Sequence, residues 1–304
     1  MTAARAVRLS LAITVVSGAV VLLDPAEAAG SDLTATLVAS RPTSGWAQPS
    51  PDPSGIVWTG EHLIISDSEV DEMPALDHGT SLFRVSLTGE QLTPPGGSTQ
   101  GWSREPAGLG NLPGADPGLL VSDVDQGQIF WIWPQGDGIF GTADDTVRSF
   151  PVLPPTTIAG DIAADLEVTG DGHLLLVDAL YRAVFDYGPG ADELFGTTDD
   201  VVAWFDVGRY GAVEPRGIAY HPTRASVLVL DQESRSVYEL TRQGELLNAI
   251  SIGAVAPVSA AGVTVAPASD GSGAFNLYVV DRGVDNNDDP TENDGRFYEL
   301  SVPW

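Results

Sequence analysis

Short runs of apolar residues, bounded by Gly, Pro or Asp, recur along the chain and predict its secondary structure. Apolar and polar positions alternate in many of these runs, as in β-strands, and no segment after residue 28 has the helical apolar period. Five of the runs end in an aspartate, at spacings of 56, 55, 53 and 50 residues: Asp67, Asp123, Asp178, Asp231 and Asp281. A period of this length indicates one supersecondary unit that is repeated along the chain.

Each unit has further strands on both sides of the run that ends in aspartate. "PSGIVW" and "EPRGIAY" are typical of the strand before it, and "QIFWIWP" and "SVYELTR" of the strand after it. A fourth, outer strand such as "VVAWFDV" follows in four units. Four short antiparallel strands per unit predict an all-β fold, a β-propeller with five blades. A sixth, degenerate blade and a parallel β-solenoid are the alternatives.

The fifth unit lacks its outer strand before the sequence reaches Trp304. "TLVASRPTSGW" near the start of the chain is similar to "QLTPPGGSTQGW" before the second unit, with Gly45-Trp46 matching Gly101-Trp102. We therefore expect residues 33–39 to supply the outer strand of the last blade. This pairing would close the ring and cover both edge strands.

The blade sequences resemble those of a known superfamily. "EPAGLG…GLLVSD…QIFWIW" and "EPRGIAYHPTRASVLVLDQESRSVYELTRQGEL" are similar to NHL-type propeller blades and to the blades of the gluconolactonase and strictosidine synthase group. The resemblance covers residues 50–300 and implies a five- or six-bladed propeller. The resemblance to NHL-type propellers implies a module that binds a protein, peptide or glycan. Gluconolactonase-like propellers hold a calcium ion at the channel mouth. The resemblance to them implies a metal-dependent lactonase or esterase.

The first 28 residues have the layout of a secretory signal peptide. Arg5 and Arg8 precede an apolar run, and Ala26-Glu27-Ala28 fits a small-x-small cleavage site. The alternative is a membrane anchor, but a spanning helix needs about 20 apolar residues and this run is shorter. We therefore expect a secreted protein with one domain, residues 29–304.

The composition of the chain limits the kinds of partner that it is expected to bind. The chain has 14 basic and 42 acidic residues, a net charge of −28 and no cysteine. Such a charge opposes binding to nucleic acid and to anionic membranes and favours metal cations or cationic partners. Without disulfides, the core alone must stabilise the domain. We expect a monomer that binds an unidentified extracellular protein, glycan or small molecule.

The strand-ending aspartates are candidates for a metal site in the channel. In a propeller, the loops before strand one and after strand two share one face, called here the top face. The five aspartates should gather there with Glu105 and Glu214. Clustered carboxylates raise one another's pKa unless a cation compensates, so the arrangement could hold a divalent metal. The alternative is that each aspartate caps its own turn.

Two long acidic loops also reach the top face, residues 67–80 in the first blade and "DRGVDNNDDPTENDG" in the fifth. Acidic and amide side chains alternate in the second loop, and calcium prefers six to eight such oxygens. Pro290 stands where an EF-hand has glycine, so the loop is not an EF-hand. We expect calcium binding, with a solvated acidic loop as the alternative. The candidate ligands are Asp67, Glu69, Asp71, Asp281, Asp285, Asn287, Asp289 and Glu292.

A second acidic pattern lies between strands three and four, on the opposite or bottom face. "GDGIFGTADD" and "ADELFGTTDD" align at a spacing of 55 residues and resemble Gly-Thr-x-Asp-Asp insertions of secreted bacterial proteins. Because the pattern occurs in two blades, we expect a structural Ca²⁺ in each rather than catalysis. The candidate ligands are Asp137, Asp144, Asp145, Asp192, Asp199 and Asp200.

Covalent catalysis has few candidates, since the chain has no Cys, no Lys and no G-x-S-x-G motif. The candidates for metal-dependent hydrolysis are Glu105, Glu214, Asp178 and Asp231 in the channel and His78 as general base. The sequence thus predicts a secreted calcium-binding propeller that acts as a binding module. A calcium-dependent lactonase or esterase is the alternative.

Overall fold

The computed structural model of the protein describes residues 30–112, 117–152 and 165–304. The predicted signal peptide, residues 1–28, lies outside this part of the chain. No helix of the described residues is long and apolar enough to cross a membrane. Their helical elements are three short 3-10 turns, Val70–Glu72, Gly208–Tyr210 and Gly253–Val255, and strands form the rest of the regular structure.

The strands form five sheets, one for each predicted blade. Strands β1 (Ser31–Thr34) and β2 (Thr36–Pro42) come first in the chain. Blade 1 contains β3 (Pro53–Trp58), β4 (Leu63–Asp67), β5 (Leu82–Val85) and β6 (Gln91–Gly97). Blade 2 contains β7 (Pro106–Leu112), β8 (Gly118–Asp123), β9 (Gln128–Trp133) and β10 (Thr146–Pro151). Blade 3 contains β11 (Asp165–Val168), β12 (Leu174–Asp178), β13 (Ala183–Gly188) and β14 (Val201–Asp206).

Blade 4 contains β15 (Pro215–His221), β16 (Ser226–Asp231), β17 (Ser236–Leu240) and β18 (Leu246–Ser251). Blade 5 contains β19 (Ala260–Pro267), β20 (Phe275–Asp281), β21 (Arg296–Ser301) and β2. The inner strands contact one another around the ring in the order β3, β7, β11, β15, β19 and back to β3. The prediction of an all-β propeller with five four-stranded blades is confirmed.

The amino-terminal segment closes the ring, but the outer strand that it forms begins later in the sequence than expected. β2 pairs antiparallel with β21, from Thr36 opposite Ser301 to Pro42 opposite Arg296, and is the outer strand of blade 5. The preceding residues form β1, which pairs in parallel with β18 and adds a fifth strand to blade 4. Ala35, between the two strands, is buried against the core of blades 4 and 5. The expected range of 33–39 was therefore wrong at its start, because residues 33 and 34 belong to β1.

Apolar side chains fill the spaces between neighbouring blades rather than one central core. Leu120 and Trp131 of blade 2, for example, pack with Leu176 and Phe185 of blade 3. Four similar clusters lie between the other pairs of adjacent blades. Burial of these surfaces from water stabilises the ring in the absence of disulfides.

The inner strands approach one another so closely that four of them carry glycine at the same position: Gly55, Gly108, Gly217 and Gly262. A Cβ atom at Gly55 would collide with the carbonyl oxygen of Ala107 on the next inner strand. Blade 3 departs from this pattern, because Asp165 occupies the equivalent position. The carboxylate of this residue is therefore placed inside the ring.

Candidate functional site

The mouth of the channel on the top face is a polar cavity of about 420 Å³. Its lining combines four carboxylates and two guanidinium groups with small hydroxyl residues. The charged residues are Glu69, Glu105, Asp125, Asp285, Arg216 and Arg282. Of the predicted site residues, the fold thus brings Glu69, Glu105 and Asp285 together at the mouth.

The strand-ending aspartates hold loops of their own blades. Asp231 accepts hydrogen bonds from the backbone N–H groups of Val213 and Glu214, before β15, at 2.8 and 2.6 Å. Its other oxygen accepts the N–H of Ser234 in the turn after β16, at 2.8 Å. One buried carboxylate therefore connects the segment that leads into a blade with the turn after the second strand of that blade.

The same arrangement is present in blades 1, 2 and 5. Asp123 accepts hydrogen bonds from the Ser103 hydroxyl, before β7, at 2.6 Å and from the Gln126 N–H, after β8, at 2.8 Å. Asp67 and Asp281 likewise bind groups on both sides of their strands. In blade 3, Asp178 accepts the N–H of Tyr181. The contacts of these aspartates are thus those of side chains that cap turns of their own blades.

The side chains that line the mouth come one or two positions after these aspartates. Glu69, Asp125, Gln232 and Arg282 follow Asp67, Asp123, Asp231 and Asp281, respectively. The residues just after the strand-ending aspartates, rather than the aspartates themselves, therefore line the mouth. A carboxylate occupied by backbone donors is poorly placed to bind a ligand, whereas the next side chains are free to face the axis.

Glu105 and Glu214 have different environments although both precede an inner strand. Glu214 accepts two hydrogen bonds from the guanidinium of Arg216, at 2.5 and 3.1 Å. Glu105 lies beside Asp125 in the mouth. Burial, followed by the charge of Asp125, raises the pKa of Glu105 to about 8. Glu105 is therefore the group of the mouth that most favours a proton or a cation.

His78 is exposed in the loop of blade 1 and is not among the residues that line the mouth. Asp71 lies in the 3-10 turn of the same loop and is partly exposed. Neither side chain is among those that line the mouth beside Glu105.

The acidic loop between β20 and β21 does not present its alternating residues together. Asp285 accepts the N–H of Asn287 at 2.8 Å, and Asp289 accepts the N–H of Thr291 at 3.0 Å. Asn287 and Asp289 are exposed, whereas Glu292 is only 7% exposed. The loop thus exposes Asn287 and Asp289, keeps Asp285 at the mouth and buries Asn286 and Glu292.

The two bottom loops have the same local structure. Asp144 accepts the N–H of Gly136 at 2.9 Å and the hydroxyl of Thr142 at 2.7 Å. Asp199 accepts the equivalent N–H and hydroxyl groups, of Ala191 and Thr197, each at 2.7 Å. The second aspartates match too, since the N–H groups of Gly141 and Gly196 donate to the side chains of Asp145 and Asp200 at 2.6 and 2.8 Å.

In the blade 2 loop, the carboxylates also converge. One oxygen from each of Asp137, Asp144 and Asp145 lies within 4.8 Å of the other two. Asp137 and Asp144 are exposed, so water has access to the same space. Three carboxylates with room for water are the hard, oxygen-only donor set that calcium prefers.

The bottom loops also contribute to the interfaces between blades. Phe195 is buried between blades 2 and 3, with its ring centroid 6.0 Å from that of Trp131. In the other loop, the carbonyl of Gly141 accepts the N–H of Ser98, next to β6 of blade 1, at 2.8 Å. Whatever orders these loops therefore also acts on the packing of adjacent blades.

The interior of the ring contains two carboxylates that motif comparison between blades could have found. Asp165 accepts backbone N–H groups of Leu109 and Ile218, in blades 2 and 4, each at 3.0 Å. Glu167, two residues along β11, accepts the N–H of Val168 at 2.9 Å. Burial raises the pKa of Asp165 well above its usual range and that of Glu167 to about 8.

No family model and no curated protein matches the sequence. Among solved structures, the chain is similar to the PQQ-bound aldose sugar dehydrogenase of Streptomyces coelicolor, with a TM-score of 0.51 and 15% identity over 90% of this chain and 99% of that one. It is also similar to a luciferin-regenerating enzyme, with a TM-score of 0.49 and 12% identity over 88% and 95% of the two chains. Virginiamycin B lyase of Staphylococcus aureus has a TM-score of 0.46 and 9% identity over 89% and 99%. All three are β-propeller proteins, and identities this low establish the fold alone.

Proposed function

We propose that the protein is a secreted calcium-binding propeller whose top face binds an extracellular ligand. Two observations support calcium binding. The carboxylates of Asp137, Asp144 and Asp145 converge, and the same loop structure is repeated in blade 3. Calcium bound there would neutralise adjacent carboxylates and fix each loop against its neighbouring blade. These ions stabilise the fold and take no part in chemistry.

The charges of the top mouth indicate the chemistry of its ligand. Arg216 is paired with Glu214, and Arg282 is paired with Glu69, Asp52 and Asp285. Asp125 and Glu105 remain, and their mutual repulsion contributes to the raised pKa of Glu105. A ligand with an amine or guanidinium group would compensate this negative charge. The mouth therefore suits a small cationic molecule or a basic side chain of an extracellular protein.

Thermal unfolding of chelator-stripped protein tests the calcium part. At free calcium about 100-fold above Kd, each bound ion should stabilise the fold by about 2.7 kcal/mol. The double variant Asp144→Ala/Asp199→Ala should lose the contribution of the two bottom loops to this calcium-dependent increase in Tm, and Asp270→Ala, in an exposed turn of blade 5, should keep it. A double variant whose calcium-dependent shift equals that of the wild type would refute the assignment.

One observation favours a second function, a hydrolase of the lactonase or esterase type. With a pKa of about 8, Glu105 carries a proton at neutral pH and could donate it to a leaving group. If instead a metal displaced that proton and bound Glu105 and Asp125, it would polarise a carbonyl. Turnover on a panel of lactones and aryl esters that Glu105→Gln abolishes, and exposed Glu61→Gln preserves, would establish this function. No turnover on any of them leaves the binding module as the function.

A further inference from the structure

Blades 5 and 1 meet where the ring closes, and three segments of the top face come together there. They are residues 50–53 before β3, residues 68–72 after β4 and residues 282–295 between β20 and β21. Arg282 donates to Glu69 at 2.5 Å and to Asp52 at 3.4 Å, and so joins the two blades. Gly295 lies against the backbone of Ser50 and Pro51 so closely that a Cβ atom would collide with both.

This junction contains five oxygen atoms that are shielded from water and accept no hydrogen bond. They are Asp52 Oδ2, Glu69 Oε2, Asn286 Oδ1, Glu292 Oε1 and Asn293 Oδ1. Asp52, Asn286 and Glu292 are 0%, 6% and 7% exposed, respectively. Buried acceptors are normally satisfied, because a polar atom without a partner has lost its water without compensation. Five such acceptors in one junction indicate a missing positive partner.

Arg282 does not supply that partner, because it contacts the opposite oxygens of Asp52 and Glu69. The remaining oxygens still repel one another. Burial raises the pKa of Asp52 to about 7 and that of Glu292 to about 8, and for Glu292 the charge of Asp52 contributes. Carboxylate and amide oxygens, with no nitrogen or sulfur among them, are a donor set for a hard divalent cation.

From these contacts we infer that Asp52, Asn286, Glu292 and Asn293, with Glu69 at the edge, bind a divalent cation, calcium by its donor chemistry, between blades 5 and 1. The site is separate from the two bottom loops and does not depend on them. Its ligand set also differs from the one that alternation in the sequence predicts, since Asn287 and Asp289 are exposed and Asp285 lines the mouth. The cation would hold the loop between β20 and β21 of blade 5 to the segment that leads from β2 into β3 of blade 1.

Titration calorimetry with calcium alone tests this site, with Asp144→Ala/Asp199→Ala as the background that removes the bottom loops. The background should still bind one calcium ion. Adding Glu292→Gln should weaken that binding at least tenfold, because it removes a buried ligand charge. Adding Asp289→Asn makes the same change of charge at an exposed position of the same loop and should alter the affinity less than about twofold.

No binding to the background at millimolar calcium would overturn the inference, as would equal effects of Glu292→Gln and Asp289→Asn. If the bottom loops bind no calcium, the background simply equals the wild type, so the two proposals fail separately. If Glu292→Gln does not fold, hydrogen exchange of the wild-type protein, measured with and without calcium, tests the inference instead. Calcium should slow exchange at residues 50–53 and 283–295, and unchanged exchange in both segments would overturn the inference.

Discussion

Asp165 accepts a hydrogen bond from the backbone N–H of Ile218 at 3.0 Å, across the boundary between blades 3 and 4. Its second oxygen accepts the N–H of Leu109 in blade 2, also at 3.0 Å. One side chain thus satisfies backbone donors of the two neighbouring inner strands, β7 and β15. In the other blades glycine stands at this position, so the contact is made once in the ring.

Replacement of this residue should destabilise the whole ring. Asp165→Ala leaves two buried N–H groups without acceptors, and we expect the free energy of unfolding to fall by about 2–4 kcal/mol. Urea denaturation followed by tryptophan fluorescence measures the change. Asp270→Ala, at an exposed turn, should leave the midpoint unchanged. An Asp165→Ala midpoint equal to that of the wild type would show that the carboxylate does not support the inner strands.

Asp231→Ala should destabilise the protein without affecting its metal binding. The substitution removes acceptors from three backbone N–H groups, of Val213, Glu214 and Ser234, and should cost about 3 kcal/mol of stability. Calorimetry should find the same number of bound calcium ions as in the wild type. A folded Asp231→Ala protein that has lost a calcium ion would instead support a metal bound by the ring of aspartates.

The two amino-terminal strands should differ in importance. Deletion through residue 34 removes β1 and uncovers β18, which we expect to cost about 1–2 kcal/mol, since Leu33 is only partly buried. Deletion through residue 42 also removes β2, leaves β21 as an open edge and should abolish cooperative unfolding. Thermal melts followed by circular dichroism compare the two. Equal melting temperatures for both truncated proteins would contradict the assigned role of β2.

Stability should fall with rising pH because of Glu105. Its pKa is about 8 in the folded protein and lies near 4.5 in the unfolded chain, so the folded state retains a proton that the unfolded state releases. The folded state therefore binds more protons between pH 4.5 and 8, and stability decreases through that window. Glu105→Gln should flatten this part of a plot of Tm against pH, and exposed Glu61→Gln should not. A wild-type slope that Glu105→Gln leaves unchanged would assign the effect to other groups.

The blades were predictable because their determinants are local. Strand alternation and the aspartate at the end of each second strand mark the same turn in every unit, and the carboxylate bonds to backbone a few residues away. β1 was not predictable, because its side chains are mostly exposed and it pairs in parallel with a strand that comes more than 200 residues later. Its position is set by Ala35, which is buried between blades 4 and 5.

The polar sites were less predictable, because composition does not show which carboxylates already have partners. Asp123 and Asp231 look like channel ligands in sequence, yet backbone N–H groups occupy them. Glu292 was predicted only as one more acidic ligand of its loop, whereas burial beside Asp52 is what distinguishes it in the structure. The bottom loops are the opposite case, since their two copies agree both in sequence and in hydrogen bonds.

Anomalous diffraction from crystals of the protein grown in calcium, with data collected at long wavelength, tests the calcium assignment most directly. We expect one calcium peak among the carboxylates of Asp137, Asp144 and Asp145, and a second in the matching loop around Asp199 and Asp200. Absence of both peaks at millimolar calcium would contradict it. The acidic loops would then be solvated turns, held to the neighbouring blades by apolar packing and by the hydrogen bond between Ser98 and Gly141.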